Sequence, residues 1–142
     1  MSYVCVDFDG TCVTHSFPDI GEDIGAEPVL KRLVEKGHKL ILFTMRSNML
    51  SPLTLDDPSI TPDYKGEYLN QAIKWFNERG IPLWGIQTNP TQKQWTESPK
   101  AYGHLYIDDA ALGCPLIYPG SGKRPYADWS KIERILEDTG WI

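Results

Sequence analysis

The chain has 142 residues, of which 41% are hydrophobic and 23% charged, and this predicts one globular domain over residues 1–142. Nineteen acidic residues against 14 Lys and Arg give a net charge of −5, whereas nucleic acids and anionic membranes select basic surfaces. Its three cysteines form no CxxC motif, and neither a signal-peptide pattern nor a membrane-length apolar run is evident. We therefore expect a cytoplasmic protein that binds neither nucleic acid nor membrane.

Short apolar runs alternate with amphipathic segments along the chain. The pattern predicts a strand at 3–8, a helix at 27–36, a strand at 38–44 and a helix at 64–79. Further strands are predicted within 81–87, at 104–107 and at 114–118, and a last helix at 128–137 is predicted to bury Trp129, Ile132, Ile135 and Leu136. This alternation indicates βαβ units, and hence a three-layer α/β sandwich with a central, mostly parallel sheet.

Acidic side chains follow two of the predicted strands. Asp7 and Asp9 end the first strand, and Asp108 and Asp109 end the one at 104–107. Because ligands of open parallel sheets bind at the carboxyl ends of the strands, we expect these four carboxylates to meet at one edge. Like charges held so close need a cation, and an all-oxygen ligand set favours Mg²⁺.

The spacing of Asp7 and Asp9 suits two chemical roles. Carboxylates at i and i+2 on a turn can address one reacting group from two sides, one as a nucleophile and the other as a proton carrier. Thr44 ends the second strand, and its hydroxyl, together with the backbone N–H groups of Met45 and Arg46, suits phosphate oxygens. These groups therefore suit a phosphorylated ligand.

The motifs resemble those of the haloacid dehalogenase (HAD) superfamily. The sequence DFDGT at 7–11 is similar to its first motif, ILFT at 41–44 to its second, and YIDD at 106–109 to its acidic fourth motif. The segment SPKAYGHLYIDDAALG at 98–113 resembles small bacterial and phage members. The resemblance covers most of the chain in the expected order, and implies a HAD-like, Rossmann-type fold.

That resemblance implies a magnesium-dependent phosphatase working through an aspartyl phosphate. Asp7 would be the nucleophile, and Asp9 would protonate the leaving group and then activate water. Asp7, the Asp9 backbone carbonyl and Asp108 would bind Mg²⁺, with Asp109 reaching the ion through water or orienting its ligands. Thr44 would hold the transferred phosphoryl group.

A site cation is also required, to offset the charge of the phosphate and the nucleophile. Lys100 precedes the strand at 104–107 and is preferred as a catalytic and phosphate-binding residue. Lys93 and Arg46 remain alternatives.

The chain departs from the superfamily pattern where a cap domain is usually inserted. Segments 12–26 and 88–103 are each too short for a folded cap, which indicates a capless member with an open site. Such a site suits a bulky substrate, a small phosphorylated molecule, or closure by a second copy of the chain, and the 46–63 loop is a candidate partial lid.

The alternative functions are a non-catalytic HAD-like module that binds a phosphorylated ligand and a phosphotransfer module. A receiver-type phosphotransfer module is disfavoured because the third strand ends in Gln-Thr-Asn rather than an acceptor Asp.

Overall fold

A computed structural model of the protein describes residues 1–48 and 66–142, and within these ranges it contains a four-stranded parallel sheet. The sheet order is β3-β2-β1-β4, and a separate antiparallel pair joins β5 to β6. The strands are β1 (Tyr3–Val6), β2 (Lys39–Leu42), β3 (Gly85–Ile86), β4 (Leu105–Ile107), β5 (Leu116–Ile117) and β6 (Tyr126–Ala127). The helices are α1 (Ala26–Glu35), α2 (Tyr68–Glu78) and α3 (Trp129–Asp138), with a short 3₁₀ turn at Gln92–Gln94.

The predicted α/β fold with a parallel central sheet is confirmed. β1 lies between β2 and β4 and is in parallel register with both, Val6 facing Leu42 on one side and Ile107 on the other. The chain moves from β1 to β2 to β3 in one direction and then crosses back to β4. This change of direction falls between β1 and β4, and ligands of open α/β sheets bind at such a switch point.

All three helices pack on one face of the sheet. Their buried side chains join a single hydrophobic cluster with alternate residues of β1 and β2, including Val4, Val6, Leu40 and Leu42. α3 begins after Asp128, whose carboxylate caps the helix by accepting from Lys131 N–H at 3.2 Å. The prediction that Ile135 faces inward is wrong, since its side chain is 48% exposed.

The opposite face of the sheet is covered differently from the predicted helical layer. Cys5 and Ile41 pack there against Ala101, which belongs to the irregular segment 88–104. Buried Gln92 organises that segment: its Oε1 accepts from the N–H groups of Asn89 and Tyr102, and its Nε2 donates to the carbonyls of Ser98 and Lys100. Within residues 1–48 and 66–142, this face of the sheet is therefore covered by a hydrogen-bonded irregular segment rather than by the helices of a three-layer sandwich.

The described helices span 10 or 11 residues each. None of them is long and apolar enough to cross a bilayer. The predicted lid at 46–63 lies largely outside the described residues.

Candidate active site

The predicted acidic residues meet at the carboxyl edge of the sheet, around a cavity of about 460 Å³. β1 delivers Asp7 and, two residues on, Asp9, while β4 delivers Asp108 and Asp109 directly beside them. β2 contributes the loop that follows it. The described residues that line the cavity are Asp7, Asp9, His15, Phe17, Thr44, Met45, Arg46, Asp108, Asp109, Ala110 and Arg124.

Three of the carboxylates form one compact group. One carboxylate oxygen from each of Asp7, Asp108 and Asp109 lies within 4.8 Å of the others, and all three side chains are partly buried. Burial, followed by the nearby Asp108 charge, raises the pKa of Asp7 to about 8. A divalent cation placed among these oxygens would offset both the cost of burying the Asp7 charge and its repulsion from Asp108.

Thr11 connects two of these carboxylates. Its buried hydroxyl lies 3.0 Å from Asp7 Oδ2 and 3.2 Å from Asp109 Oδ1, and it accepts a hydrogen bond from the Asp109 N–H. The hydroxyl has one proton, which it can donate to either carboxylate but not to both at once. The bond that it accepts from the Asp109 N–H keeps it between the two residues. Thr11 stands inside the DFDGT motif, but no role was predicted for it.

His15 supports Asp109 from the other side. Its Nε2 lies 2.8 Å from Asp109 Oδ2. The turn at Gly10 packs closely against both side chains. A Cβ added at Gly10, whose φ is +81°, would approach His15 Nε2 to 2.0 Å and Asp109 Oδ2 to 2.6 Å. Only glycine therefore fits this turn. His15 was not predicted as a site residue, since nothing local in the sequence connects it to a carboxylate 94 positions away.

The Asp9 carboxylate is paired with Arg46 and does not belong to the compact group formed by Asp7, Asp108 and Asp109. Both of its oxygens accept from the Arg46 guanidinium, at 2.7 Å from Nε and 2.8 Å from Nη2. The remaining Arg46 N–H groups donate to the backbone carbonyls of Pro18, Asp19 and Tyr68. All five guanidinium donors are therefore used within the protein.

The role predicted for the Arg46 side chain needs correction. Its charged group is only 1% exposed and lies between the rings of Phe8 and Phe17, at 5.2 and 5.1 Å from their centres. With no guanidinium N–H left over, the side chain is not available to bind a substrate phosphate or to act as the site cation. Arg46 instead fixes the orientation of Asp9.

The loop after β2 is held by Gln87, which follows β3. The Gln87 side chain accepts from Thr44 N–H and donates to the carbonyls of Thr44 and Arg46. The Thr44 hydroxyl accepts from Arg46 N–H at 3.2 Å, so its own proton remains available to a ligand in the cavity. Met45 is 97% exposed at the cavity rim.

Neither predicted lysine lines the described part of the cavity. Lys100 is exposed, with its ammonium 5.4 Å from the centre of the Tyr106 ring. Lys93 borders a different depression, beside β3 and Asn89. Among the described residues, Arg124 lines the acidic cavity together with the fully engaged Arg46, and it was not predicted as a site residue.

Comparison with known proteins gives one informative relationship. No family model matches the chain, and no curated protein matches it. A solved structure from Bacteroides thetaiotaomicron, described as a conserved protein, is 31% identical with a TM-score of 0.66. The alignment covers 97% of this chain and 91% of the Bacteroides protein. The chain belongs to the same family as that conserved protein. The description of the Bacteroides protein specifies no activity, so a functional assignment depends on the site.

Proposed function

We propose that the protein is a HAD-like, capless, magnesium-dependent phosphatase that hydrolyses a phosphomonoester through a phosphorylated Asp7. The observation that carries the proposal is the placement of Asp7 at the end of the central strand, within 4.8 Å of Asp108 and Asp109. Asp9 and Thr44 line the same cavity. A nucleophile, a proton carrier and a phosphate contact thus face one space, which is the set that phosphoryl transfer needs.

In the first step, an Asp7 oxygen attacks phosphorus while the bond from phosphorus to the ester oxygen breaks. The departing oxygen takes a proton from Asp9. In the second step, water gives a proton to Asp9 and attacks the phosphoryl group, which releases inorganic phosphate and restores Asp7 as a carboxylate. Although Arg46 occupies one direction at each Asp9 oxygen, a carboxylate oxygen has a second lone pair that can carry this proton.

Asp7, Asp108 and Asp109 are the residues that would hold Mg²⁺. When bound, the ion would supply two positive charges that partly offset those of the three carboxylates and the transferring phosphate. Thr11 and His15 hold Asp109 in place, and Thr11 also holds Asp7. The Asp9 carboxylate belongs to the Arg46 pair, so within the described residues the proposed contribution of Asp9 to the metal is its backbone carbonyl.

The first test is release of nitrophenol from p-nitrophenyl phosphate with and without Mg²⁺, followed by a screen of phosphorylated metabolites with phosphate detection. Metal-dependent turnover by the purified protein supports the phosphatase. The alternative, a module that only binds a phosphorylated ligand, predicts binding with no phosphate release. Absence of turnover on every substrate, with binding retained, would therefore favour that alternative.

Magnesium is expected to raise the melting temperature, and more so at pH 8 than at pH 6. The raised pKa of Asp7 means that, from about pH 4 to about pH 8, the folded metal-free protein keeps a proton that the unfolded chain has lost. Stability of the metal-free protein therefore falls as the pH rises through this window, and metal binding replaces the proton. At a concentration 100 times the dissociation constant, the ion adds about 2.7 kcal/mol.

Asp108→Asn provides the matched variant for this measurement. Loss of the Asp108 charge lowers the pKa of Asp7, so the metal-free variant is expected to be more stable than the wild type near pH 7. Its melting temperature is expected to respond less to Mg²⁺, because one ligand is missing. An unchanged magnesium response in Asp108→Asn would contradict the assigned metal site.

For the lysine that assists the phosphoryl group, we retain Lys100 as the proposal. Its ammonium lies over Tyr106, and Tyr106 pairs with Cys5 in the sheet. Alternation along β1 directs Cys5 and Asp7 to the same face, about 7 Å apart along the strand. The flexible side chain of Lys100 therefore starts on the nucleophile's side of the sheet, held at its backbone by Gln92.

Lys100→Ala is expected to lower kcat by about 10²–10³-fold, the usual cost of removing one electrostatic contact to the reacting group, if the side chain reaches the phosphoryl group during turnover. Lys93→Ala is the matched control, since Lys93 lies on the same irregular segment and borders another depression. Steady-state kinetics under saturating Mg²⁺ measure both variants. A large loss in Lys93→Ala alone would overturn the assignment.

A further inference from the structure

A second cavity, of about 350 Å³, adjoins the candidate active site. The two cavities share His15 and Arg124 as lining residues, so a ligand can extend from one into the other. The walls of the second cavity are mostly polar. They are formed by Thr14, His15, Ser16, Glu22, Pro119, Lys123, Arg124 and Tyr126.

Two cations border this second cavity without partners in the described chain. Lys123 and Arg124 are both exposed, and within residues 1–48 and 66–142 neither side chain makes a salt bridge or hydrogen bond. The other ionisable side chains with acidic or imidazole groups at the cavity are those of Glu22, which is exposed, and His15, which is hydrogen-bonded to Asp109. Within this cavity Lys123 and Arg124 therefore face one unpaired carboxylate, that of Glu22, whereas Asp7, Asp9, Asp108 and Asp109 line the adjoining cavity.

The chain that carries these cations is anchored to the catalytic turn. Lys123 and Arg124 are separated from β6 by Pro125 alone, and Ala127 of β6 donates its N–H to the carbonyl of Gly10 at 2.9 Å. Asp128, the next residue, donates its N–H to Pro115 at 2.9 Å. The strand that follows the two cations is therefore hydrogen-bonded to the turn after Asp9.

We infer that the substrate of this site is a small phosphomonoester with a second anionic group, which Lys123 and Arg124 bind in the adjoining cavity. The inference rests on the proposed function, because the phosphoryl group to be transferred is placed at Asp7. A second phosphate and a carboxylate share the chemistry that the two cations recognise, and Arg124 borders both cavities. The Thr14, Ser16 and Tyr126 hydroxyls can donate to the same group.

Paired substrates test this inference. Fructose bisphosphate is compared with fructose monophosphate for a second phosphate, and phosphoglycerate with glycerol phosphate for a carboxylate. The wild type is expected to prefer the doubly anionic member of at least one pair in kcat/KM. In Lys123→Ala/Arg124→Ala that preference is expected to fall about tenfold, the combined effect of two exposed ion pairs.

The control is Lys131→Ala/Arg134→Ala, which removes the same charge from exposed positions on α3. It is expected to keep the wild-type preference. Added salt is expected to weaken the preference in the wild type, because exposed charges are screened. Calorimetry of the same probes with Asp7→Asn measures binding without turnover. Adding Lys123→Ala/Arg124→Ala to that variant is expected to lower its affinity for the doubly anionic probes.

The failures of the two proposals are distinguishable. If the wild type hydrolyses p-nitrophenyl phosphate but shows no preference within either pair, the second anionic subsite is wrong and the phosphatase stands. The same holds if Lys123→Ala/Arg124→Ala keeps the full preference. If no phosphomonoester is hydrolysed but the probes still bind through Lys123 and Arg124, the subsite is supported and the phosphatase fails.

Discussion

Replacing Asp7 with Asn is expected to reduce phosphatase activity by about 10³-fold or more while the protein stays folded. The amide has the shape of the carboxylate but cannot attack phosphorus as an anion. Folding should persist because Asp7 is costly as a buried charge: burial and Asp108 raise its pKa to about 8. A neutral side chain at this position removes that cost, so the metal-free variant is expected to resist urea at least as well as the wild type at pH 7.

Asp138→Asn is the control for this substitution. It makes the same change of charge at an exposed residue at the end of α3 and is expected to leave activity unchanged. Rates on p-nitrophenyl phosphate and urea unfolding followed by circular dichroism measure the two effects. Near-native turnover in purified Asp7→Asn, with contaminating phosphatase excluded, would show that Asp7 is not the nucleophile.

Removing the Arg46 side chain is expected to produce the largest loss of stability. Arg46→Ala leaves Asp9 without its charge partner and leaves the carbonyls of Pro18, Asp19 and Tyr68 without their donor. Breaking one buried ion pair costs about 3–5 kcal/mol. Arg32→Ala is the control, because its salt bridge to Glu133 is more than one-third exposed at both residues, and such pairs contribute about 1 kcal/mol or less.

The effect of Arg46 on catalysis is tested with Arg46→Lys, which keeps the charge but supplies only three donors for five contacts. If Arg46 acts by orienting Asp9, the variant loses kcat rather than substrate affinity. Its loss should also vanish when Asp9 is already Asn, since removal of the oriented group removes the benefit of orienting it. Equal losses of kcat in the wild-type and Asp9→Asn backgrounds would contradict a role through Asp9.

The fold followed from local patterns where those patterns were strong. Apolar runs predicted β1, β2 and β4, and the stripes of helical periodicity predicted all three described helices to within a few residues. β6 was missed because its two residues lie in no apolar run, and it is stabilised by pairing with β5, ten residues earlier. The face covered by Ala101 was also missed, because Gln92 orders that segment through contacts that no periodicity records.

The site residues likewise fall into those that local sequence patterns predict and those that depend on long-range contacts. Asp7, Asp9, Asp108 and Asp109 were predictable as neighbours because each ends a strand, and parallel strands bring their carboxyl ends together. The position of Arg46 was not, since arginines are mostly exposed and its acceptors come from three separate segments around residues 9, 18–19 and 68. Long-range pairs such as His15 with Asp109 likewise leave no trace in local spacing.

The central claim is that Asp7 becomes phosphorylated, and mass spectrometry after rapid acid quenching tests it most directly. The protein is mixed with Mg²⁺ and a turned-over substrate, quenched within the first turnovers, and digested. We expect the peptide containing Asp7 to gain the mass of one phosphoryl group, to lose it on treatment with hydroxylamine, and to stay unmodified in Asp7→Asn. Full substrate turnover with an unmodified Asp7 peptide, or with the phosphoryl group on another residue, would contradict the proposed mechanism.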